Sequence, residues 1–325
     1  MSKYTYPLTG QDSTVNVYPV QLVKVEQMNI EKENIGPRSK SILRNSLNNW
    51  SKALNKGMGE KLSLALKLVG LEEKSHQIVF NNDGLINQFA KLRSIEDIES
   101  FSKKYGLLGI EPPDNEQIKS SYYSHPSFIF NKYGSSLFEP IQLWHWHINE
   151  IHQILKLYDI VKKNSSDDSV SHLIEIKMHT GMFGSLAEDR SVTDRYFVHW
   201  TTGEPILMLP EDLEEKPLLE IGQYTLSKVL ASHLYGGVHL GTGDIIRNSS
   251  TKGFKVLERR YTNSLLAAIY YDLWQKINND MNIYICGNKS CGSPFIKAGR
   301  KKFCSDACKQ EAYRDRLKRR KVRDE

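Results

Sequence analysis

The cysteines constrain this chain more than any other feature of its sequence. The chain has 325 residues and only four cysteines, and all four lie within a segment of 23 residues: Cys286, Cys291, Cys304 and Cys308. Independent placement would produce such a cluster only about once in a thousand sequences. The spacing, C-x4-C-x12-C-x3-C, therefore predicts one site that uses all four thiol groups.

The chemistry that best fits these cysteines is metal binding. Four thiolates around one Zn²⁺ ion form a closed tetrahedral site with no position for water or substrate, so the expected ion is structural. Disulfides are disfavoured because the sequence shows no export signal and the cytosol would reduce them. The chain has no redox C-x-x-C motif, and the spacing matches neither common ferredoxin pattern. We therefore predict Zn²⁺ as the cofactor.

The residues between the cysteines predict a small treble-clef-like finger, made of a knuckle, a hairpin and a helix. Phe295 and Ile296 begin an expected strand, and a turn at 297–300 returns the chain to the third cysteine. Ser305 is a good N-cap for a helix that continues toward the end of the chain. Few apolar side chains are available for a core, so metal binding must supply most of the stability, roughly 10–16 kcal/mol in zinc-finger peptides.

The same segment carries most of the positive charge. Residues 281–325 hold 13 basic and five acidic side chains, for a net charge of +8, whereas the first 280 residues carry −2. This asymmetry indicates an anionic polymer or surface as the partner. We expect nucleic acid to be contacted by side chains on the turn and on the helix: Arg300, Lys301, Lys302, Arg314, Arg316, Lys318, Arg319, Arg320 and Lys321.

Duplex DNA is the expected partner of this basic helix. Successive helical positions turn by about 100°, so the basic residues occupy more than one side. That distribution fits a groove flanked by two rows of phosphates, although it is also typical of a solvated helix end. RNA and an acidic protein are the alternative partners. Single-stranded RNA readers stack bases on exposed aromatic rings, and Tyr313 is the one aromatic residue in the basic helix.

The first 280 residues predict a mainly α-helical body with a small β insert, an α+β fold class, followed by the finger domain at 281–325. Helices are expected over 41–70, with a break at Gly57 and Gly59, and over 94–106, 139–163, 221–234 and 258–277. The β insert comprises strands near 172–178, 195–200 and 206–209. The glycine-rich link at 236–243 suits a loop or a small hairpin. The body is expected to sense a ligand or to mediate dimerisation, so a homodimer is possible.

No catalytic motif is evident, and we predict that the chain is not an enzyme. The run Trp144-His-Trp-His-Ile-Asn-Glu-Ile-His lacks the His-Glu-x-x-His pattern of metalloproteases, and Gly241-Thr-Gly lacks the lysine of a P-loop. There is no G-x-S-x-G motif. A group that could converge near the expected strands comprises His179, His199, Asp194 and Glu204, but nearness along the chain does not establish a site.

A cytoplasmic protein without a membrane partner is expected. No apolar run approaches the roughly 18 residues of a membrane helix. The first residues lack the apolar core and cleavage site of a secretory signal.

The finger resembles the CGNR-type zinc fingers of bacterial proteins. The similarity lies in Cys286-Gly-Asn-Lys-Ser-Cys-Gly, Phe303-Cys-Ser-Asp-Ala-Cys and the basic helix, with weaker likeness at 95–109 and 264–270. In that family the finger follows a larger helical domain and binds DNA in stress-related transcription regulators. The resemblance implies a zinc site on the four cysteines and a role in transcription. The chain departs from the family at Cys308-Lys-Gln-Glu, where the family has Cys-Gly-Asn-Arg.

Overall fold

The chain has a mixed α+β fold in which helices alternate with antiparallel strands. Its structure, a computed structural model, describes residues 6–8, 13–33, 35–69, 75–81, 84–114, 132–134, 136–181, 193–203, 205–247, 254–288, 291, 293–296 and 299–324. Contacts divide the chain into two compact units. Unit 1 comprises Met1–His147 and Leu230–Gln275, and unit 2 comprises Ile148–Val229 and Lys276–Glu325.

The helices range from one turn to six turns in length. Within the described residues they are α1 (Pro37–Met58), α2 (Leu85–Phe89), α3 (Ile95–Tyr105), α4 (Ile141–Lys162), α5 (Asp167–Ser171), α6 (Leu218–Leu234), α7 (Leu265–Asn278) and α8 (Asp306–Asp324). None of them combines the length and the apolar composition that crossing a membrane requires.

The strands are short and form several small sheets. They are β1 (Tyr6–Pro7), β2 (Ser13–Val17), β3 (Val20–Lys24), β4 (Leu64–Leu68), β5 (His76–Phe80), β6 (Phe138–Pro140), β7 (Ile174–Gly181), β8 (Thr193–Trp200), β9 (Pro205–Met208), β10 (His239–Arg247), β11 (Phe254–Thr262), β12 (Ile283–Ile285) and β13 (Pro294–Ile296). In unit 1 the sheet orders are β1-β11-β10, β2-β5 and β3-β4-β6, and in unit 2 they are β7-β8-β9 and β12-β13. All the pairings are antiparallel.

The α+β class is confirmed, but the β structure is not confined to one small insert. Strands appear at 174–181, 193–200 and 205–208, as predicted, and also where helix was expected. Residues 64–68 form β4 because their leucines alternate with a period of two. The helix predicted from 258 begins only at Leu265, since β11 continues to Thr262. The second half of the glycine-rich link at 236–243 belongs to β10, which forms an antiparallel hairpin with β11.

The core of unit 1 is built on aromatic side chains from α2, α3 and α4. The ring of Phe89 lies 5.6 Å from that of Phe101 and 6.1 Å from that of Trp144, between ring centroids. The helix α3 begins where Ser94 predicts it: its hydroxyl accepts the N–H of Asp97, and the Asp97 carboxylate accepts the N–H of Ser94. This capping box fixes the start of the helix, so Phe101 faces the core.

A buried carboxylate joins the start of α4 to the segment that follows α3. Glu139 is fully buried, and its two oxygens accept backbone N–H bonds from Leu108, Gly109 and Ile110 at 2.7–3.2 Å. The indole N–H of Trp144 donates a fourth bond at 3.1 Å. Burial raises the pKa of Glu139 to about 7, while these four hydrogen bonds act in the opposite direction. One side chain therefore satisfies three backbone donors of a non-helical segment.

The core of unit 2 lies around α4, α5, α6 and the β7-β8-β9 sheet. Ile174, Val198 and Trp200 of the sheet are buried. Gly222 of α6 packs beside Leu157 of α4 and Val170 of α5, whose side-chain atoms would lie 3.4 Å from an added Cβ. At the end of α4, the Nζ atom of Lys162 donates to the carbonyl oxygens of Asp280 and Met281 at 2.9 and 2.8 Å. These bonds hold the segment that leads into β12.

Replacing Glu139 by glutamine at pH 8, where the carboxylate is charged, is expected to reduce the free energy of unfolding by about 2–4 kcal/mol. The side-chain NH₂ group of the glutamine would then face backbone N–H groups that now donate to a carboxylate oxygen, so donors would face donors. Denaturant unfolding followed by tryptophan fluorescence measures the loss.

The matched control is Glu99→Gln, which neutralises a carboxylate whose Oε1 lies 2.8 Å from Nζ of Lys103 on the surface of α3. This change should reduce stability by at most about 0.5 kcal/mol. Equal losses in the two variants would contradict the role of Glu139.

Candidate metal centre

The first two cysteines lie at a knuckle between β12 and β13. Cys286 directly follows β12, and its N–H donates to the carbonyl oxygen of Ser293 at 2.9 Å. The N–H of Gly287 donates to the carbonyl oxygen of Lys302 at 2.9 Å. A Cβ at Gly287 would lie 3.1 Å from that oxygen, so a glycine permits this close approach. The N–H of Cys291 donates to the carbonyl oxygen of Asn288 at 3.0 Å, which closes the knuckle.

This strand pairing differs from the predicted hairpin. The sequence suggested that the chain after Ile296 returns alongside β13, but β13 pairs with β12 in the register Tyr284 to Phe295. Phe295 is buried in this pairing. Of the predicted turn, Gly299 is described and has a positive φ of 63°, whereas 297 and 298 lie outside the described residues.

The other two cysteines lie at the start of α8. Cys304 precedes the helix, and Cys308 lies in its first turn. The predicted cap is present: the hydroxyl of Ser305 accepts the N–H of Cys308 at 3.2 Å. Because the cap bonds the third helical residue, it fixes where the helix begins. The N–H of Cys304 also points to the sulfur of Cys286 at 3.5 Å, which links the two halves of the site.

The structure brings the four predicted ligands together. Their sulfur atoms all lie within 4.8 Å of one another. The sulfur of Cys304 lies 3.6 Å from that of Cys291 and 3.4 Å from that of Cys308. Four metal–sulfur bonds of about 2.3 Å in a tetrahedron separate the sulfurs by about 3.8 Å, whereas a disulfide requires about 2.05 Å. The arrangement can therefore hold one metal ion and is compatible with zinc.

The thiols resist joint ionisation in the absence of a cation. Burial raises the pKa of Cys286 and, together with the neighbouring thiols, that of Cys304. At Cys291 burial acts in the same direction, but hydrogen bonds from Ser293 and from the other thiols outweigh it and lower the pKa to about 7. A divalent cation would displace the remaining protons and neutralise the crowded thiolates.

A polar contact connects the knuckle to the helix. The side-chain amide of Asn288 is buried and donates through Nδ2 to Oε2 of Glu311 at 2.8 Å. Glu311 lies in the second turn of α8, beyond Cys308. This bond fixes the helix relative to the knuckle at a second point besides the cysteines.

The basic side chains of this segment project into solvent where they are described. Those exposed are Arg300, Lys301, Lys302, Arg314 and Arg316. Four further predicted contacts belong to the backbone of α8, and their side chains lie outside those described: Lys318, Arg319, Arg320 and Lys321.

Histidines elsewhere do not build a comparable site. Among the described residues, the four cysteines are the group of three or more potential ligands that lies close enough to hold an ion. His147 of α4 is buried, and its ring lies 6.0 Å from that of His233, which stacks on Tyr270 at 3.8 Å. These histidines are part of the aromatic core.

The sequence singled out four residues near β7 and β8: His179, His199, Asp194 and Glu204. Two of them, both histidines, are in contact in the structure. The Nε2 atoms of His179 and His199 lie 2.8 Å apart. Asp194 instead accepts a bond from the hydroxyl of Thr180 at 2.6 Å. Glu204 lies outside the described residues.

Comparisons with known proteins identify no relative: no family model, no curated protein and no solved structure matches the chain. Its function must therefore be inferred from the geometry and charge of its own residues.

Replacing Cys304 by serine is expected to abolish metal binding, because the remaining three thiols cannot close a tetrahedral site. The purified protein should then contain no bound metal by elemental analysis, against one ion per chain in the parent. Unfolding of unit 1, followed by tryptophan fluorescence, should be unchanged.

Ser305→Ala is the matched control, since it alters the neighbouring residue and removes only the helix cap. It should keep the metal and destabilise the helix by about 1 kcal/mol. A Cys304→Ser protein that retains its full metal content would contradict the assignment of the four ligands.

Proposed function

We propose that this chain is a cytoplasmic DNA-binding protein that regulates transcription, in which a zinc ion on four cysteines fixes a basic helix for contact with duplex DNA. The ligands are Cys286, Cys291, Cys304 and Cys308. The knuckle between β12 and β13, followed by a helix that carries the last ligand, supports a treble-clef-like finger.

Zinc is the ion proposed for this site. Four thiolates in tetrahedral geometry are typical of structural zinc or of iron–sulfur chemistry. The cysteine spacing matches neither common ferredoxin pattern, which favours zinc. With all four positions taken by sulfur, the ion would have no open position for a substrate.

The observation that carries the proposal is the attachment of the basic helix to the metal site. Cys304 lies two residues before α8 and Cys308 in its first turn, so the ion would hold the base of the helix. Arg314 and Arg316 extend from the same helix and are exposed. A solvated chain end would fray, whereas these charges lie on a helix with a fixed start. Rigid charges can match a row of phosphates without a large loss of conformational entropy.

The turn before the helix supplies a second basic group. Arg300, Lys301 and Lys302 are consecutive and exposed, and the carbonyl oxygen of Lys302 accepts the N–H of Gly287 next to the first cysteine. The metal site would thus fix both groups of positive charge. Phosphate contacts of this kind give affinity that depends little on sequence, so specificity would require base contacts or a second copy of the finger.

Duplex binding by the zinc-loaded full chain is expected to weaken steeply with salt. If six side chains contact phosphates, the slope of log K against log salt should be about −5. Replacing Arg314 and Arg316 together by alanine should make the slope less steep by about 2 and weaken binding at low salt. Fluorescence anisotropy with labelled duplex DNA, measured over a salt series, gives both quantities.

The control replaces Lys52 and Lys56, exposed residues of α1, by alanine and so makes the same change in net charge. This variant should bind as the parent does. If both double variants lose affinity equally, the basic helix is not the DNA-binding surface.

Single-stranded RNA is the second candidate ligand, favoured by the exposure of Tyr313. Tyr313 is 57 % exposed on the same helix as the basic residues, so its ring can stack on a base. If RNA is the ligand, Tyr313→Leu should weaken binding of a labelled single strand by about 1–3 kcal/mol and leave duplex binding unchanged. Equal binding of the single strand by parent and variant would exclude stacking on this ring.

A further inference from the structure

The strand β7 forms one edge of the three-stranded sheet of unit 2. The order of that sheet is β7-β8-β9, and among the described residues the backbone of β7 pairs with β8 alone. One row of its backbone N–H and C=O groups therefore meets no neighbouring strand in the described part of the chain. Such an edge is a template on which another strand can add. The side chains of β7 decide which strand is favoured.

The charged side chains of β7 follow a self-complementary order. Glu175 and Lys177 are two residues apart, so they lie on the same face of the strand. Oε1 of Glu175 lies 2.6 Å from Nζ of Lys177, and both side chains are partly exposed. A lone lysine on an edge strand opposes pairing with another strand, but here the glutamate balances its charge. This edge can therefore accept a strand that carries the same two charges in the reverse direction.

The opposite face of β7 changes from buried to exposed along the strand. Ile174 is 1 % exposed, whereas Met178 is 57 % exposed. Met178 lies opposite Tyr196 of β8 in the strand register, and Tyr196 is exposed as well. The apolar face of the sheet therefore extends beyond the part that is buried at Ile174. An exposed apolar extension of this kind is typical of an interaction surface.

We propose that β7 pairs antiparallel with β7 of a second copy of this chain, about a two-fold axis at Ile176, so that the two three-stranded sheets join. In this register Glu175 lies opposite Lys177 of the partner subunit. The two-fold axis makes each contact occur twice, so two such charge pairs form. Met178 then lies opposite Ile174 of the partner subunit, and each exposed apolar end adjoins the buried end of the other sheet.

The charges disfavour the two neighbouring symmetric registers. A two-fold axis perpendicular to the sheet keeps the apolar faces of both copies on one side, and one residue then faces its own copy across the axis. An axis at Glu175 would place two carboxylates opposite each other, and an axis at Lys177 would do the same with two ammonium groups. Like charges directly opposite destabilise a sheet, whereas opposite charges stabilise it. An axis at Ile176 gives an apolar pair at the centre and an attractive pair on either side.

The test measures the oligomeric state of the full chain by sedimentation velocity over a concentration series. We expect a concentration-dependent dimer for the parent. Lys177→Glu and Glu175→Lys should each weaken dimerisation at least about tenfold, because each replaces two attractive pairs by two repulsive pairs. Lys216→Glu, at an exposed lysine outside the sheet, is the matched control and should dimerise as the parent does.

Mixing the two variants distinguishes this register from a general effect of charge. In a mixed dimer each glutamate of the Lys177→Glu chain would lie opposite a lysine of the Glu175→Lys chain, so both attractive pairs would be restored. An equimolar mixture should therefore dimerise as the parent does, although neither variant does so alone. A monomeric parent, a mixture that stays monomeric, or single variants that dimerise as tightly as the parent would each overturn the proposal. The result does not depend on whether the finger binds DNA.

Discussion

The convergence of four sulfur atoms is the constraint on which the C-terminal segment depends. The knuckle after β12 and the start of α8 are separate pieces of backbone. Among the described residues, the hydrogen bonds that join them include those from the Cys304 N–H to the Cys286 sulfur, from the Gly287 N–H to Lys302, and from Asn288 to Glu311. The local apolar core is small. Crowded thiols repel one another when ionised, so a bound cation would turn the weakest part of this segment into its strongest junction.

Unit 1 places a related acidic group, a single carboxyl, where the chain itself can satisfy it. At Glu139 the buried group is an anion, and the chain itself supplies the compensation through three backbone N–H groups and one indole N–H. The carboxyl group thus accepts from the backbone N–H groups of a non-helical segment. The carboxyl group of Glu139 finds its partners within the chain, whereas four thiolates at the cysteine site would need a cation from outside it.

The sequence predicted best what depends on local spacing. The four ligands, the Ser305 and Ser94 caps and helix α4 all follow from residue types and spacings within short segments of the chain. The prediction of secondary structure was wrong at the leucine-rich segment that forms β4. Whether such a segment becomes helix or strand depends on pairing with β3 and β6, which lie far away in the sequence. The bonds of Glu139 to residues 108–110 and the meeting of His179 with His199 depend on long-range register, which spacing alone does not encode.

The hydrogen bond from the Cys308 N–H to Ser305 sets more than the start of a helix. Because it places Cys308 at the third helical position, a metal ion on its sulfur would fix the rotational phase of α8. Each residue further along turns by about 100°, so the azimuth of every basic side chain is set at the first turn. A single residue inserted after Cys308 would therefore rotate the basic side chains of α8 by about 100° relative to the metal site, whereas exchanging one basic residue for another would leave their directions unchanged.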